Sequence, residues 1–440
     1  MGALTQALQF ILSLSILIVL HELGHFIPAK LFKTRIEKFY LFFDPWFSLF
    51  KYKKGETEYG IGWLPLGGYV KISGMIDESM DKEQMKLPPQ EWEFRAKPAW
   101  QRLIIMCGGV AVNVVLGILI YAMVLFTWGE KYLPVQNATY GVTCDSLALK
   151  MGMKDGDKIL TLDNKPVQSI DRVFGDVIIN KAKTIQVERD GQKIDIPVTD
   201  DNLSEMITNK LHLVEARYPM DVVSVAKGKA AEEAGVKAGD RVLAVNDVKT
   251  LFRVEATNQF QKNKSKKVSL VLLRGTDTVK TQVQISEAGT IGISVNLDES
   301  KYFTMQTLQY SFLEAFPAGI HKAHKTYEDY LKQFKVIFTV KGAANEIGGF
   351  VAIGKAYSPV WDWQSFWSFT AFLSIVLAIM NILPIPALDG GHVMFLLYEV
   401  ITRRKPNEKV MEYAQYAGMI LLLALLLFAN GNDVVRLFSK

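Results

Sequence analysis

Leu14-Ser15-Ile16-Leu17-Ile18-Val19-Leu20-His21-Glu22-Leu23-Gly24-His25 carries an apolar run, opened near Ala3, straight into three ionisable side chains. Residues i and i+4 share one helix face, so the two imidazoles can reach a common ion. Glu22, one position on from the first imidazole, is placed to take a proton from an attacking water, as in the H-E-x-x-H pattern of metal-binding helices. The bland alternative is a pair of capping histidines beside a surface glutamate. It fails on position, because ionisable groups inside a membrane span are costly and rarely idle.

Working outward, the 440 residues are 49% hydrophobic, unevenly spread. Stretches 3–29, 99–128, 364–388 and 410–429 meet or approach the roughly 20 apolar residues that cross a bilayer, while 130–300 is polar. Four spans put both termini on one side. The first is not a cleavable leader, since the motif lies inside it and no small-residue cleavage site follows. Basic residues cluster after the first span (Lys30, Lys33, Arg35, Lys38, Lys51, Lys53, Lys54), before the second (Arg95, Lys97, Arg102) and after the third (Arg403, Arg404, Lys405, Lys409). Positive charge near span ends marks the cytoplasmic side, so 30–98 and 400–409 are expected there, with 130–360 and both termini outside. These flanks account for the net charge of +5, and nothing points to nucleic acid. Two cysteines, Cys107 and Cys144, are too few for a cysteine-based zinc site.

The polar region holds an internal repeat. Gly152-Met153-Lys154-Asp155-Gly156-Asp157-Lys158-Ile159-Leu160-Thr161-Leu162-Asp163 recurs 83 residues later as Gly235-Val236-Lys237-Ala238-Gly239-Asp240-Arg241-Val242-Leu243-Ala244-Val245-Asn246. Each copy reads as a helix end, a Gly-Asp turn and an alternating strand, with more strand-rich sequence after it. The pattern resembles PDZ domains in tandem, over 129–212 and 213–300. Such domains bind extended peptides, often C-termini, by strand addition, although these two would also serve as spacers. Over 301–360, Gln306–Gly319 and Ile320–Phe338 read as amphipathic connecting helices on the membrane surface. His321 and His324 there are expected to be exposed rather than metal-binding. On the cytoplasmic side, Thr34–Tyr52 and Glu58–Ile72 read as a membrane-associated β-hairpin region, a hairpin or a two-hairpin sheet, turning at Lys53–Glu56. Asp77–Pro98 reads as a charged loop without assigned chemistry. The expected divisions are therefore 1–128, the two repeats, 301–360 and 361–440. The fold class is a membrane α-helical bundle of four transmembrane helices, with the β-hairpin region and two α+β PDZ domains.

Two histidines leave a catalytic zinc site one protein ligand short. Glu37 follows the motif but lies in strand-like sequence. Asp389 is favoured, in Asn381-Ile382-Leu383-Pro384-Ile385-Pro386-Ala387-Leu388-Asp389-Gly390-Gly391, and His392 competes. Pro384 and Pro386 break the third span, and broken backbone at membrane depth is tolerated only where protein or water satisfies it. His21 lies nine residues before Lys30, about 13 Å of helix, which matches the cytoplasmic end of the third span where Asp389 falls.

These residues together make the chain resemble the site-2 protease family of intramembrane zinc metalloproteases. The resemblance runs from His21–His25 through Leu64-Pro65-Leu66-Gly67-Gly68-Tyr69-Val70-Lys71, Phe94, Lys97-Pro98, Trp100-Gln101-Arg102 and Asn113 to Asn381–Asp389. It implies that His21, His25 and Asp389 bind Zn2+, that Glu22 is the general base, and that Asn381 helps hold an unwound substrate. It further implies a multi-pass protein of a bacterial inner membrane, with its active site near the cytoplasmic side. The substrates would be single-pass transmembrane proteins, such as pre-cleaved anti-sigma factors or remnant signal peptides, with the PDZ pair admitting them by size. Departures occur at Phe42-Phe43-Asp44-Pro45, where relatives often carry Gly-Phe-Gly, at Gly109-Val110 for Gly-Pro, and at Gly348-Gly349-Phe350 for Gly-Gly-Pro. Readings from other classes are an intramembrane metal or proton transporter, which lacks matching membrane halves here, and an inactive PDZ scaffold.

Overall fold

The computed structural model describes residues 2–438 except 66, 76–86 and 297. The first part of the charged stretch expected over 77–98 therefore lies outside the described residues. Two compact units result: one runs up to Gly129 and includes 309–334 and 344 onward, and the other joins 130–308 with 335–343.

In the first unit, α1 (Gly2–Leu31), α2 (Ala99–Trp128), α3 (Trp363–Ile382) and α5 (Glu408–Phe438) are long and apolar enough to cross a membrane. The shorter α4 (Asp389–Thr402) lies between the last two. Sequence chemistry sets their ends. Asp362 caps α3 by accepting from the Ser365 N–H at 2.8 Å, and Pro98 precedes the first turn of α2. Where one span over 364–388 was expected, α3 stops at Ile382. Pro384 disfavours helix at Leu383, so 383–388 is irregular and Asp389 opens a new helix.

Helices α1 and α2 cross at Gly24 and Gly108, where a Cβ on either would strike the other's backbone. That contact brings two main chains together as small residues do between membrane helices. Buried polar side chains tie the rest: Thr370 on α3 donates to Ser13 on α1 at 3.0 Å, and Ser374 donates to the Asn113 carbonyl on α2 at 2.7 Å. Interhelical bonds of this kind contribute about 0.6–2 kcal/mol each.

Between α1 and α2 lies a sheet of β1 (Ile36–Leu41), β2 (Phe43–Lys54), β3 (Thr57–Leu64) and β4 (Tyr69–Ile72), in the order β2-β3-β1-β4. The charged turn near Gly55 closes β2 onto β3 as a hairpin, yet β1 pairs with β3 in parallel and with β4 antiparallel. This is not a pair of consecutive hairpins. Phe42 takes a left-handed φ of 67° and turns the chain away from β1, so β3 returns into the place beside it. The outer strand β2 exposes Trp46 (90%), Phe47, Leu49, Phe50 and Tyr52 next to Lys51, Lys53 and Lys54.

In the second unit each sequence copy builds a four-stranded sheet on its own core. In the first, Lys158–Leu162 pairs with Thr184–Arg189, which pairs with Gln192–Pro197. In the second, Arg241–Val245, Lys267–Arg274 and Asp277–Gln284 repeat that order. A helix covers each sheet, Val173–Asn180 and Arg253–Lys262. The Gly-Asp turn is locked alike in both. Asp157 takes two hydrogen bonds from Arg189 at 2.7 Å, and Asp240 takes two from Arg274 at 2.8 Å. Strand Val214–Ala216 pairs with Val142–Cys144, so the first copy's pairing runs past residue 212.

The connection after the repeats differs from the two helices expected. Gln306–Leu308 is a strand paired with Glu130–Tyr132, and a single helix runs Phe312–Thr339. Its start is fixed by a capping box, in which the Ser311 N–H donates to Glu314 at 2.9 Å and the Glu314 N–H to the Ser311 hydroxyl at 3.4 Å. Gly319, read as a break, instead packs its bare backbone against α2 at Ala122.

Candidate metal centre

One turn of α1 carries His21 and His25, and α4 begins with Asp389. Their atoms His21 Nε2, His25 Nε2 and Asp389 Oδ2 form a triangle whose three sides are each 3.3 Å. Among the described residues this is the group of His, Cys, Asp and Glu that is placed to hold a metal ion. Hydrogen bonding orients the rings. The His25 Nδ1 faces the Ile105 carbonyl at 2.8 Å; a carbonyl only accepts, so Nδ1 carries the proton and a neutral ring presents its lone pair at Nε2. Asp389 Oδ2 is buried and bonded to no donor. Ring lone pairs and a carboxylate oxygen converging away from water demand positive charge between them. Two ligands about 2.0–2.1 Å from a tetrahedral zinc lie about 3.3 Å apart, which is the spacing found. The residues present fit zinc.

The irregular stretch before α4 sets the carboxylate's place. Ala387 sits at φ 78°, a left-handed value uncommon for a residue with a side chain. Its N–H donates to Gln415 of α5 at 3.1 Å, which holds the turn. Gly109 of α2 leaves room for both imidazoles; a Cβ there would lie 2.6 Å from His21 Cε1.

Residues 9–425 match Peptidase family M50. The chain belongs to that family. It is 28% identical to "Putative zinc metalloprotease" of Treponema pallidum (strain Nichols), over 97% of this chain and 98% of that one. It is 27% identical to "Regulator of sigma E protease" of Haemophilus influenzae (strain ATCC 51907 / DSM 11121 / KW20 / Rd), over 98% of each. This M50 peptidase is thus a zinc metalloprotease of the site-2 protease family, and its four apolar helices and sheet suit a protease of the membrane. Membership sets aside the transporter and the inactive scaffold.

A cavity of about 580 Å³ opens beside the triangle in the M50 peptidase, with Glu22, Tyr69, Val70, Asp44, His392 and Gln415 in its wall. Val70 of β4 and Glu22 of α1 line this cavity together. In the far wall Asp44 accepts from the Tyr69 hydroxyl at 2.7 Å. Burial raises the Asp44 carboxyl, but Tyr69 and Lys38 outweigh it and hold the group below the usual carboxylate range. Burial, then the bond to Asp44, pushes the Tyr69 phenol up.

Every residue singled out at the motif is brought together here except the alternatives. Glu37 is engaged elsewhere, accepting from Ser73 at 2.9 Å and pairing with Lys71 at 3.2 Å. His392 lines the cavity but stands outside the triangle. His324 is exposed and lies 3.8 Å from Glu328. Asn381 Nδ2 is 3.2 Å from His21 Nε2. That contact places the Asn381 amide against the same ring atom that faces the other two corners of the triangle. Sequence reasoning missed Gln415. Its signal was a carboxamide within the apolar run 410–429.

Proposed function

We propose that this chain cleaves peptide bonds inside the transmembrane segments of single-pass membrane proteins, with His21, His25 and Asp389 holding zinc and Glu22 as general base. The observation carrying this reading is the triangle of three acceptor atoms, largely shielded, beside a cavity that Glu22 lines. Zinc held there supplies Lewis acidity towards a carbonyl and lowers the pKa of water. Glu22 takes the proton of the attacking water and delivers it to the leaving amine. β4 is one of the sheet's two edge strands, β2 being the other, and Tyr69, Val70, Lys71 and Ile72 of β4 line the cavity together with Glu22. A substrate unwound into a strand would add to that edge and lie across the site. Asn381 would donate to its exposed backbone.

The same reading puts the sheet at the cytoplasmic interface, where the aromatic and lysine-rich face of β2 suits lipid headgroups. Residues 130–300 and both termini then lie outside. The repeat copies, taken as PDZ domains over 129–212 and 213–300 with the strand at Val214–Ala216 closing the first, would bind peptide C-termini or exclude substrates with bulky outer domains. The printed name of the Haemophilus relative fits a substrate among pre-cleaved sigma-factor regulators; remnant signal peptides have the same single-span form.

The test uses the full chain in bilayer discs with a single-span substrate, bare or fused to a folded outer domain. The bare substrate is expected to be cut and the fusion spared. Glu22→Gln is expected to lose about 10²–10⁴-fold in turnover while keeping its zinc. Cleavage by that variant near the parent rate would remove the base assignment, and equal cutting of both substrates would remove the gating.

A further inference from the structure

The two imidazoles of the triangle are held from behind by one helix. Ile105 of α2 meets His25 Nδ1 with its main-chain carbonyl. Eight residues on, about 12 Å along the same helix, Asn113 meets His21 Nδ1 with its side-chain amide at 3.1 Å. Asn113 is fully buried in the middle of an apolar span. Its own backbone carbonyl is taken by Ser374, and its Oδ1 has no hydrogen-bond partner. The two ends of a carboxamide exchange places by a half-turn. With Nδ2 against the ring, His21 Nδ1 would have to accept, and the ring proton would sit on Nε2, aimed at the other two ligands. With Oδ1 there, Nδ1 donates and Nε2 presents a lone pair. The exchange trades one unmet group for another, but only the second orientation gives His21 the tautomer that His25 already has.

We propose that Asn113 is a positioning residue: its side-chain oxygen accepts the His21 Nδ1 proton, fixes the ring with Nε2 free, and so sets the affinity of the site for zinc. The proposal rests on the reading of His21, His25 and Asp389 as ligands. A partner behind a ligating histidine that fixes tautomer and ring angle is a general requirement of such sites. Here one of the two partners is main chain, which no substitution removes, and the other is a side chain that can be varied.

The full chain in detergent is titrated with zinc against a chromophoric chelator. Asn113→Leu, close to the same volume without an acceptor, is expected to bind zinc about 10–100-fold more weakly. Asn113→Asp, which keeps an acceptor, is expected to bind within about threefold of the parent or more tightly, in line with the carboxylate partners common behind zinc-bound histidines. A residue that merely packs between helices gives the opposite order, because a buried carboxylate is tolerated worse than leucine. Parent-like binding by the leucine variant, or an aspartate variant as weak as the leucine one, overturns the proposal. Should the leucine variant fail to fold, 15N-histidine NMR of the unsubstituted protein reads the tautomer directly. A protonated His21 Nδ1 supports the assignment and a protonated Nε2 overturns it. His21→Ala separates the two layers: zinc binding that survives it removes the ligand reading itself, whereas a failure confined to Asn113→Leu leaves that reading standing.

Discussion

The carboxylates of Asp157 and Asp240 in the polar unit are buried, that of Asp389 in the membrane unit is half-buried at a cavity, and they are compensated in different ways. Each of the first two is gripped at both oxygens by an arginine fork, Arg189 or Arg274, which itself also donates to a turn carbonyl, Gly152 or Gly235. Charge is balanced within the chain, and the result is a rigid turn. Asp389 faces two imidazoles, with His25 fixed from behind so that its Nε2 looks inward. On the proposed reading the balancing charge is that of a metal ion held between them. A buried carboxylate with its own arginine reads as structural, and the proposal takes the one set against imidazoles as the site.

The sharpest way to break this comparison is to neutralise each kind of aspartate. Asp389→Asn keeps the shape and removes the charge. We expect zinc affinity to fall more than about 100-fold and peptide cleavage to be lost, with the helices still assembled, measured by chelator competition and by thermal unfolding of the full chain. Retained zinc at the parent affinity would mean that the imidazoles suffice and that the distinction is false. The next largest effect is expected at the other kind of site. Arg189→Met leaves the buried Asp157 with the Lys154 main-chain N–H but no counter-charge and should destabilise the first copy by about 3 kcal/mol, seen as faster deuterium uptake at Ile185 and Val187. Zinc affinity should not change. A fall in both together would show the two kinds of carboxylate to be coupled.

How much of this was readable from residues alone follows from the range of the interactions. His21, Glu22 and His25 were legible because their geometry is set by one helical turn. Asp389 was legible because Pro384 and Pro386 announce a broken span. The repeat declared itself by direct comparison of two segments. What escaped depends on partners far away in the chain. The parallel pairing of β1 with β3, and of Gln306–Leu308 with Glu130–Tyr132, leaves no periodic trace in either strand. Gln415 and Asn113 were visible as polar residues in apolar spans, but their roles need the neighbours that the fold supplies. The helix start at Ser311 did leave a local sign, Ser-Phe-Leu-Glu, which was outweighed by reading the aromatic pattern from Gln306.

The smallest expected effect concerns how an internally balanced carboxylate responds to pH. The Arg274 hydrogen bonds, against an opposing effect of burial, hold the Asp240 carboxyl below its usual range. A group that binds its proton less readily folded than unfolded adds stability that is complete above the unfolded value, about 3.9 for aspartate. That stability disappears as pH falls through the lower folded value. Deuterium uptake at Leu270 and Leu272 in the full chain, corrected for intrinsic exchange, should therefore be level from pH 7 to about 4 and rise below it. In Arg274→Met the guanidinium is gone while burial stays, so the folded carboxyl moves up towards the unfolded value and the loss of protection below about pH 4 should shrink or vanish. An undiminished loss would mean that the Lys237 main-chain N–H, donating to Asp240 at 2.8 Å, already suffices to hold the charge. The arginine fork would then be a matter of turn geometry alone, and the contrast with Asp389 would rest on orientation rather than on charge balance.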